Sequence, residues 1–178
     1  MHIVLFGAFK SVINAANELG IRLTIIDKVQ LVDTSLLQPN HQFILLDYHQ
    51  KNLAKNIIAA ITQSQKVDMI LSFTEPALLL ASQIAEELGI ATPFSSEVVK
   101  NTKDKQRMRQ KLADSPHTIA HQLACDAKQA AAFVKEQNRA VIIKPVDGVG
   151  SESVVCVTPD NLNALHRLDF TNQEYLCE

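Results

Sequence analysis

The first part of the chain alternates between short apolar runs rich in β-branched residues and longer amphipathic segments. Residues 2–6 form a strand-type run that ends at Gly7, residues 11–19 have helical character and stop before Gly20, and residues 21–27 are strand-like again. A strand, a helix and a strand joined by short connections are typical of a parallel sheet with helical crossovers. This alternation restricts the segment to an α/β fold.

The same pattern is then repeated once. Residues 42–46 are strand-like, residues 52–64 form an amphipathic helix, and residues 67–73 are again strand-like. The helix predicted over 76–88 has Pro76 in its first turn and Gly89 behind it, which are favoured residues at the two ends of a helix. We therefore predict a Rossmann-like parallel-sheet domain over residues 1–92.

The second part of the chain predicts a different architecture. After a linker and basic helix over residues 93–114, the predicted elements are a strand at 117–123, a helix at 126–137, strands at 141–144 and 153–157, a helix at 159–168 and a strand at 174–177. The order β-α-β-β-α-β is that of a small α+β open-faced sandwich. We assign this sandwich to residues 115–178, and the whole chain to the α/β class.

Composition excludes several classes of function. A net charge of −2 gives no global attraction to nucleic acid or to an anionic membrane. No apolar run approaches the roughly 18–20 residues that a transmembrane helix needs. The three cysteines are odd in number and lack a C-x-x-C pair, which argues against a disulfide framework and a zinc site. These observations predict a soluble cytoplasmic protein.

One segment concentrates positive charge. Residues 100–111 carry six of the 17 basic residues and a single acid, Asp104. On a helix, Lys105 and Arg109 lie on one face at i,i+4, and Met108 and Leu112 lie beside them as anchors to a core. Such a face either binds phosphate or is simply solvated, and solvation is the more common situation.

A glycine-containing loop follows the apolar strand at 141–144. In VIIKPVDGVGSESV, Lys144 precedes Gly148 and Gly150. Glycines let backbone N–H groups approach a phosphate, and a lysine adds a mobile positive charge. The lysine of a P-loop follows the glycines and opens a helix, whereas this loop leads into a strand. The residues leave two interpretations open: a hairpin loop that covers phosphates, or an ordinary Asp147-Gly148 turn.

Three other patterns are weaker. Gly7 and Asp27 imitate a dinucleotide fingerprint, but G-x-G-x-x-G is absent, which disfavours a Rossmann-type NAD domain. His117 and His121 have a metal-ligand spacing without a third ligand nearby, so we predict no metal site there. Glu75 follows a parallel strand at the end where α/β sheets bind ligands; it either faces a substrate amine or is a first-turn helix acid.

The order of these features resembles the ATP-grasp superfamily of carboxylate–amine and carboxylate–thiol ligases. The resemblance rests on a βαβ domain followed by TKDKQRMRQKL, VIIKPVDGVGS and EYLCE, and it covers the whole chain as a pre-ATP-grasp domain and a first ATP-grasp (lid) subdomain. It implies that Lys105 and Lys144 contact nucleotide phosphates. It also implies a phosphate-covering loop and an adenine hinge. The implied loop residues are Asp147, Gly148, Gly150 and Ser151, and the implied hinge residues are Leu176, Cys177 and Glu178.

The resemblance also implies a reaction. ATP-grasp ligases use ATP and Mg²⁺ to activate a carboxylate as an acyl phosphate for attack by an amine or similar nucleophile, and their metal ligands lie beyond the hinge that Glu178 matches. We therefore predict an N-terminal fragment that binds nucleotide weakly, contains no catalytic residue or metal ligand, and forms a homodimer through exposed apolar surface. The alternative is a non-catalytic nucleotide-sensing or protein-interaction module.

This sequence departs from the family pattern in the glycine loop. Family loops often read G-S-x-G-V, whereas this chain has Gly150-Ser151-Glu152-Ser153-Val154. Serine therefore stands at position 153, where those loops carry a second glycine.

Overall fold

The structure, a computed structural model, describes residues 1–28, 33–148 and 152–178. The chain divides into two compact units, Met1–Val99 and Lys100–Glu178. Each unit has its own sheet, and among the described residues no buried apolar cluster contains members of both units. The predicted boundaries at residues 92 and 114 stay predictions.

The first unit contains a four-stranded sheet in the order β3-β2-β1-β4, in which all neighbours are parallel. Leu5, for example, pairs with Ile25 on one side and with Leu71 on the other. The predicted Rossmann-like sheet is confirmed. Its elements are β1 (His2–Phe6), α1 (Lys10–Glu18), β2 (Arg22–Asp27), β3 (Gln42–Leu45), α2 (Lys51–Ser64), β4 (Met69–Ser72) and α3 (Glu75–Leu88).

Helices cover both faces of this sheet. On one face, α2 and α3 bury Ile58 and Ile84 against Val4 and Ile70. On the other face, α1 buries Ile13 in a second cluster with strand residues. Because β1 and the end of β2 are buried on both faces, they read as continuous apolar runs rather than alternating ones.

The loops after β1 and β4 are packed closely together. Gly7 has φ +68°, and a Cβ added there would lie 2.7 Å from the Cγ2 atom of Thr74. The Ser72 hydroxyl donates to the Phe6 carbonyl at 2.8 Å and accepts from the Thr74 N–H at 3.0 Å. These contacts fix the turn from which α3 begins, and therefore the position of Glu75.

Asp27, which with Gly7 imitates a dinucleotide-binding fingerprint in the sequence, has a structural role. Its carboxylate is 2% exposed and accepts hydrogen bonds from the N–H groups of Ala8 and Lys28, at 3.2 and 2.7 Å. Asp27 therefore closes the loop that begins at Gly7, and both of its oxygens already have backbone donors.

The second unit contains an antiparallel sheet in the order β5-β8-β6-β7. One face packs on α6 and on a 3₁₀ segment, Leu162–Arg167, with Phe133, Val134 and Tyr175 in the core. The predicted open-faced sandwich is confirmed. The elements from residue 96 onward are α4 (Ser96–Lys103), α5 (Lys105–Lys111), β5 (Gln122–Ala124), α6 (Ala127–Gln137), β6 (Val141–Pro145), β7 (Val155–Val157) and β8 (Tyr175–Cys177).

The basic segment at residues 100–111 is divided between the end of α4 and the whole of α5. The chain is extended at Asp104, whose carboxylate accepts the Arg107 N–H at 2.9 Å and so caps the second helix. A side chain that satisfies a first-turn N–H favours a new helix start at that point.

Two predicted elements of the sandwich were wrong in extent or type. The strand predicted over 117–123 is confined to Gln122–Ala124, because a turn precedes it in which the Thr118 N–H bonds to the Ser115 carbonyl. The segment predicted as a helix over 159–168 contains only the 3₁₀ turns of Leu162–Arg167. Within the described residues, we find no helix with the length and hydropathy required to cross a bilayer.

Candidate nucleotide-binding site

The start of α5 is tied to the segment that follows β6. The Lys105 N–H donates to the Val146 carbonyl at 3.1 Å. The Lys105 ammonium donates to the Gly148 carbonyl at 2.9 Å and lies 3.4 Å from the Val146 carbonyl. The structure therefore brings together Lys105 and the first part of the glycine loop, which belong to two motifs about 40 residues apart in sequence.

A cluster of three charged side chains lies at the end of β8. One carboxylate oxygen of Glu178 pairs with the Lys144 ammonium, and the other accepts from the Nε of Arg109 at 2.7 Å. The side chains of Glu178, Arg109 and Lys144 are only 10%, 15% and 19% exposed. The Glu178 backbone exchanges two hydrogen bonds with Ile142, at 2.8 and 2.9 Å, so β6 holds this residue in register.

The two cations determine the charge of Glu178. Burial alone would raise the pKa of this carboxyl, but the hydrogen bonds from Arg109 and Lys144 outweigh burial and hold the pKa below its ordinary value. Glu178 is therefore a carboxylate at neutral pH. Because Lys144 is paired with Glu178, a phosphate that approaches Lys144 competes with this carboxylate for the ammonium.

A pocket of about 320 Å³ opens beside Lys105 and Lys144. Ile142 and Val154 line it and are 38% and 40% exposed. Glu152, Pro145 and Gly148 complete the lining. Two ammonium groups beside apolar walls fit a ligand that has phosphates at one end and a flat apolar ring at the other.

Strand alternation decides which side chains face this pocket. Ile142 and Lys144 lie on one face of β6, whereas Val141 and Ile143 point into the core on the α6 side. Leu176 is paired with Lys144 and shares its face, although it is fully buried.

Cys177 lies on the opposite side of β8. Its side chain is part of the core packed on α6, and burial raises the pKa of its thiol to about 11. The structure therefore does not bring the Cys177 side chain to the pocket. Asp147 is exposed beside the pocket, and Gly150 and Ser151 lie outside the described residues.

Glu75 lies at a second, separate pocket in the first unit. This pocket measures about 490 Å³ and opens at the end of β4, beside the first turns of α3. Its lining is mostly apolar and includes the exposed rings of Phe73 and Phe94, with Ser72 and Thr74 beside Glu75. The predicted location at the carboxyl end of a parallel strand agrees with this geometry.

Comparison with protein families gives one match. Residues 13–92 match the family model described as the ATP-grasp N-terminal domain. The chain has an ATP-grasp N-terminal fold. No curated protein matches the sequence.

Solved structures extend this likeness to the second unit. The L-amino acid ligase from Bacillus licheniformis superposes with a TM-score of 0.72 at 17% identity, over 99% of this chain and 43% of that protein. The N5-carboxyaminoimidazole synthetase from Staphylococcus aureus complexed with ADP superposes with a TM-score of 0.74 at 16% identity. The match covers 99% of this chain and 46% of that protein.

A third ATP-grasp relative has Mg²⁺ and nucleotide in its crystals. This relative is the biotin carboxylase domain of the Hydrogenobacter thermophilus 2-oxoglutarate carboxylase, a dimer in complex with MgADP, ADP and bicarbonate. It superposes with a TM-score of 0.70 at 18% identity, over 98% of this chain and 43% of that one. This chain thus spans less than half the length of each of these ATP-grasp structures.

Several residues of the site were not predicted as site residues. Arg109 was noted only as a neighbour of Lys105 on the helix, and its i,i+4 spacing was the signal that could have identified it. Ile142 could have been found from strand alternation, because it is two residues before Lys144. Glu152 and Val154 gave no comparable signal, because their positions depend on the path of the loop.

Ser153 has an unusual backbone conformation for a serine. It has φ +56°, in the left-handed region, at the position where family loops carry glycine. The loop therefore keeps a glycine-type conformation with a serine in place, at a conformational cost of about 1 kcal/mol.

Proposed function

We propose that this chain supplies the ATP-binding part of a ligase that activates a carboxylate as an acyl phosphate for attack by an amine or similar nucleophile. The observation that carries the proposal is the convergence of Lys105 and Lys144, from two distant motifs, on a pocket walled by Ile142 and Val154. The ATP-grasp N-terminal fold supports it.

Each group has a physical role in this proposal. The ammonium groups of Lys105 and Lys144 offset the negative charge of the phosphates. The loop from Asp147 to Ser151, including Gly148 and Gly150, covers them, and Ile142 and Val154 contact the base. Leu176, Cys177 and Glu178 form the adenine side of the site. ATP, when bound, supplies the phosphoryl group that makes a carboxylate reactive.

Magnesium would accompany the nucleotide. In the described parts of the chain, no three His, Cys, Asp or Glu side chains are grouped so as to hold a metal ion. We propose that the Mg²⁺ ligands belong to the part of the ligase that follows the hinge, and that these 178 residues alone contain no catalytic group.

Titration calorimetry with MgATP tests the binding site. We expect weak binding by the wild-type chain and a loss of about tenfold or more in affinity for Lys144→Gln, because a charge-assisted contact to phosphate is removed. Lys128→Gln is the matched control, since Lys128 is an exposed lysine on α6. Equal ATP affinity for the wild type and Lys144→Gln would contradict the proposed site.

An assay of ADP release tests whether these 178 residues bind ATP without catalysing its reaction. Purified chain mixed with MgATP should release ADP no faster than MgATP in buffer without protein, because binding groups alone do not position an acceptor. ADP release that is abolished by Lys144→Gln would show instead that these 178 residues are a complete catalyst. Nucleotide binding without any associated ligase activity would favour the alternative, a nucleotide-sensing module.

We further propose that Glu75 faces the amine of a substrate in the pocket at the end of β4. Its carboxylate lies beside an apolar cavity with two exposed aromatic rings, Phe73 and Phe94, which suits an apolar molecule with a cationic end. In an active ligase containing this chain, Glu75→Gln should raise the KM for the carboxylate or the amine several-fold, and unchanged values for both would contradict the assignment.

The remaining proposals concern location and assembly. We propose a cytoplasmic location, consistent with the three free thiols, and no nucleic-acid or membrane partner. We also propose a homodimer through apolar surface of the second unit outside the nucleotide pocket, where Ile119 is exposed. A monomer in light scattering at high concentration would contradict the dimer.

A further inference from the structure

Glu178 has a separate cation on each of its carboxylate oxygens. Lys144 from β6 pairs with one oxygen, and Arg109 from α5 donates to the other at 2.7 Å. Arg109 is 69 residues away in sequence, and its side chain is largely buried. Such a pairing costs desolvation and brings the two elements together at the edge of the nucleotide pocket.

The two cations have different relations to the pocket. Lys144 lines the pocket, whereas Arg109 does not. Within the described part of the chain, the other charged side chains at the pocket are Lys105, which is bonded to the Gly148 carbonyl, and Glu152. If Lys144 turns to a phosphate, Arg109 is the cation that stays in contact with Glu178. Without it, a carboxylate that is only 10% exposed would lose its charge partner.

Taking the proposed nucleotide site as its basis, we propose that Arg109 is a positioning residue. It holds Glu178 in place and keeps it charge-compensated while Lys144 exchanges this carboxylate for a phosphate of the nucleotide. Arg109 thus acts on the nucleotide through Glu178 and touches neither base nor phosphate itself. In the free protein, Lys144 therefore stays beside the pocket as a partner of Glu178. When Lys144 moves to the phosphate, the buried Glu178 carboxylate still has Arg109 as its partner.

A double-mutant cycle on MgATP affinity tests this role. The variants are Arg109→Gln, Glu178→Gln and the two together, measured by calorimetry at a temperature where circular dichroism shows all four proteins folded. We expect Arg109→Gln to weaken ATP binding by about tenfold or more in the wild-type background. In the Glu178→Gln background the same change should weaken binding by less than about threefold, because no carboxylate then needs compensation.

Two further measurements separate positioning from a structural role. Arg109→Lys should recover part of the affinity, because it keeps the charge but loses the planar geometry of the guanidinium. At pH 6, ATP binding to Arg109→Gln should take up more protons than binding to the wild type, measured as the dependence of the binding heat on buffer ionisation enthalpy. The extra protons would go to Glu178 when Lys144 leaves it.

Lys111→Gln is the matched control, since it removes one positive charge from the exposed side of the same helix. It should leave ATP affinity within about twofold of the wild type. Equal losses for Arg109→Gln in both backgrounds, or no loss at all, would overturn the role of Arg109 and leave the nucleotide site standing. A wild-type chain that binds no ATP would overturn the nucleotide site itself and this role with it.

Discussion

Single residues in unusual backbone conformations mark both units. Gly7 and Ser153 have positive φ angles, and each lies in a loop that we associate with a candidate site. At Gly7 the reason is visible, because Thr74 occupies the space that a side chain would need. At Ser153 a serine adopts the conformation that glycine adopts more easily, so the residue identity and the backbone are mismatched.

The mismatch at Ser153 predicts a stabilising substitution. Ser153→Gly should raise the free energy of unfolding by up to about 0.5 kcal/mol, because relief of the left-handed strain exceeds the entropy that glycine adds to the unfolded chain. Urea denaturation checks this, and Ser153→Ala is the control, since alanine keeps the strain. A Ser153→Gly variant less stable than the Ser153→Ala variant would contradict the interpretation.

The contact at Gly7 predicts a large loss. Gly7→Ala should lower the free energy of unfolding by about 2–4 kcal/mol, because it combines left-handed strain with a clash against Thr74. Gly20→Ala is a matched control: Gly20 has φ +63°, but no atom of the described residues lies within 4 Å of the position that a Cβ would occupy, so only strain of about 1 kcal/mol is expected. Equal losses in urea denaturation would show that the packing against Thr74 is unimportant.

At the scale of elements, the break between α4 and α5 positions the basic side chains. The sequence predicted a linker and a basic helix over residues 93–114, and the cap at Asp104 starts a helix whose first residue is Lys105. This start lets the Lys105 N–H and ammonium both reach the segment after β6.

The cap at Asp104 therefore links helix formation to nucleotide affinity. Asp104→Ala should lower the free energy of unfolding by about 1 kcal/mol and weaken MgATP binding, because it removes the acceptor for the Arg107 N–H. Asp104→Asn keeps an acceptor and should stay close to the wild type in both measurements. If the asparagine variant lost as much ATP affinity as the alanine variant, the charge of Asp104 rather than its cap would be responsible.

Periodicity predicted the strands and helices of the first unit well, because parallel strands and crossover helices have local patterns. All seven elements of its sheet and helices occur where they were expected, within two residues at each end. The shorter elements of the second unit were less predictable. The 3₁₀ turns at Leu162–Arg167 and the shortened β5 depend on hydrogen bonds in neighbouring turns, which a hydrophobic pattern does not encode.

The candidate site was predictable only in part, for a similar reason. Lys105 and Lys144 belong to motifs that the sequence displays, and the structure brings both to one pocket. The ion pair between Arg109 and Glu178 joins residues 69 positions apart. The i,i+4 spacing places Arg109 on the same helix face as Lys105, but it does not show that Glu178 would be the partner of Arg109.

At the scale of the whole molecule, the two units have separate cores. The clusters around Ile58 and Ile13 belong to the first unit, and the cluster around Val134 belongs to the second. Because each core is built from its own sheet, a change in one core should act mainly on the unit that contains it.

Hydrogen exchange tests this separation. Val134→Ala should remove about 2 kcal/mol of stability by leaving a cavity, and it should speed amide exchange in Val141–Pro145 while leaving His2–Phe6 unchanged. Val4→Ala in β1 is the reciprocal variant and should have the opposite distribution. A uniform increase across the chain in either variant would show that the two units unfold as one.

The pairing of β6 with its neighbours has a practical consequence for studying this molecule in solution. Ile142 in β6 pairs with Cys156 in β7 on one side and, on the other, with Glu178, the residue that follows β8. Cys156 is exposed, Cys177 is buried, and a hydrogen bond with Glu174 raises the pKa of the exposed Cys125 thiol. Alkylation should therefore favour Cys156, and a fluorophore attached there would sit beside Ile142. The chain thus carries a natural attachment point from which occupancy of the nucleotide pocket can be followed optically without introducing a new cysteine.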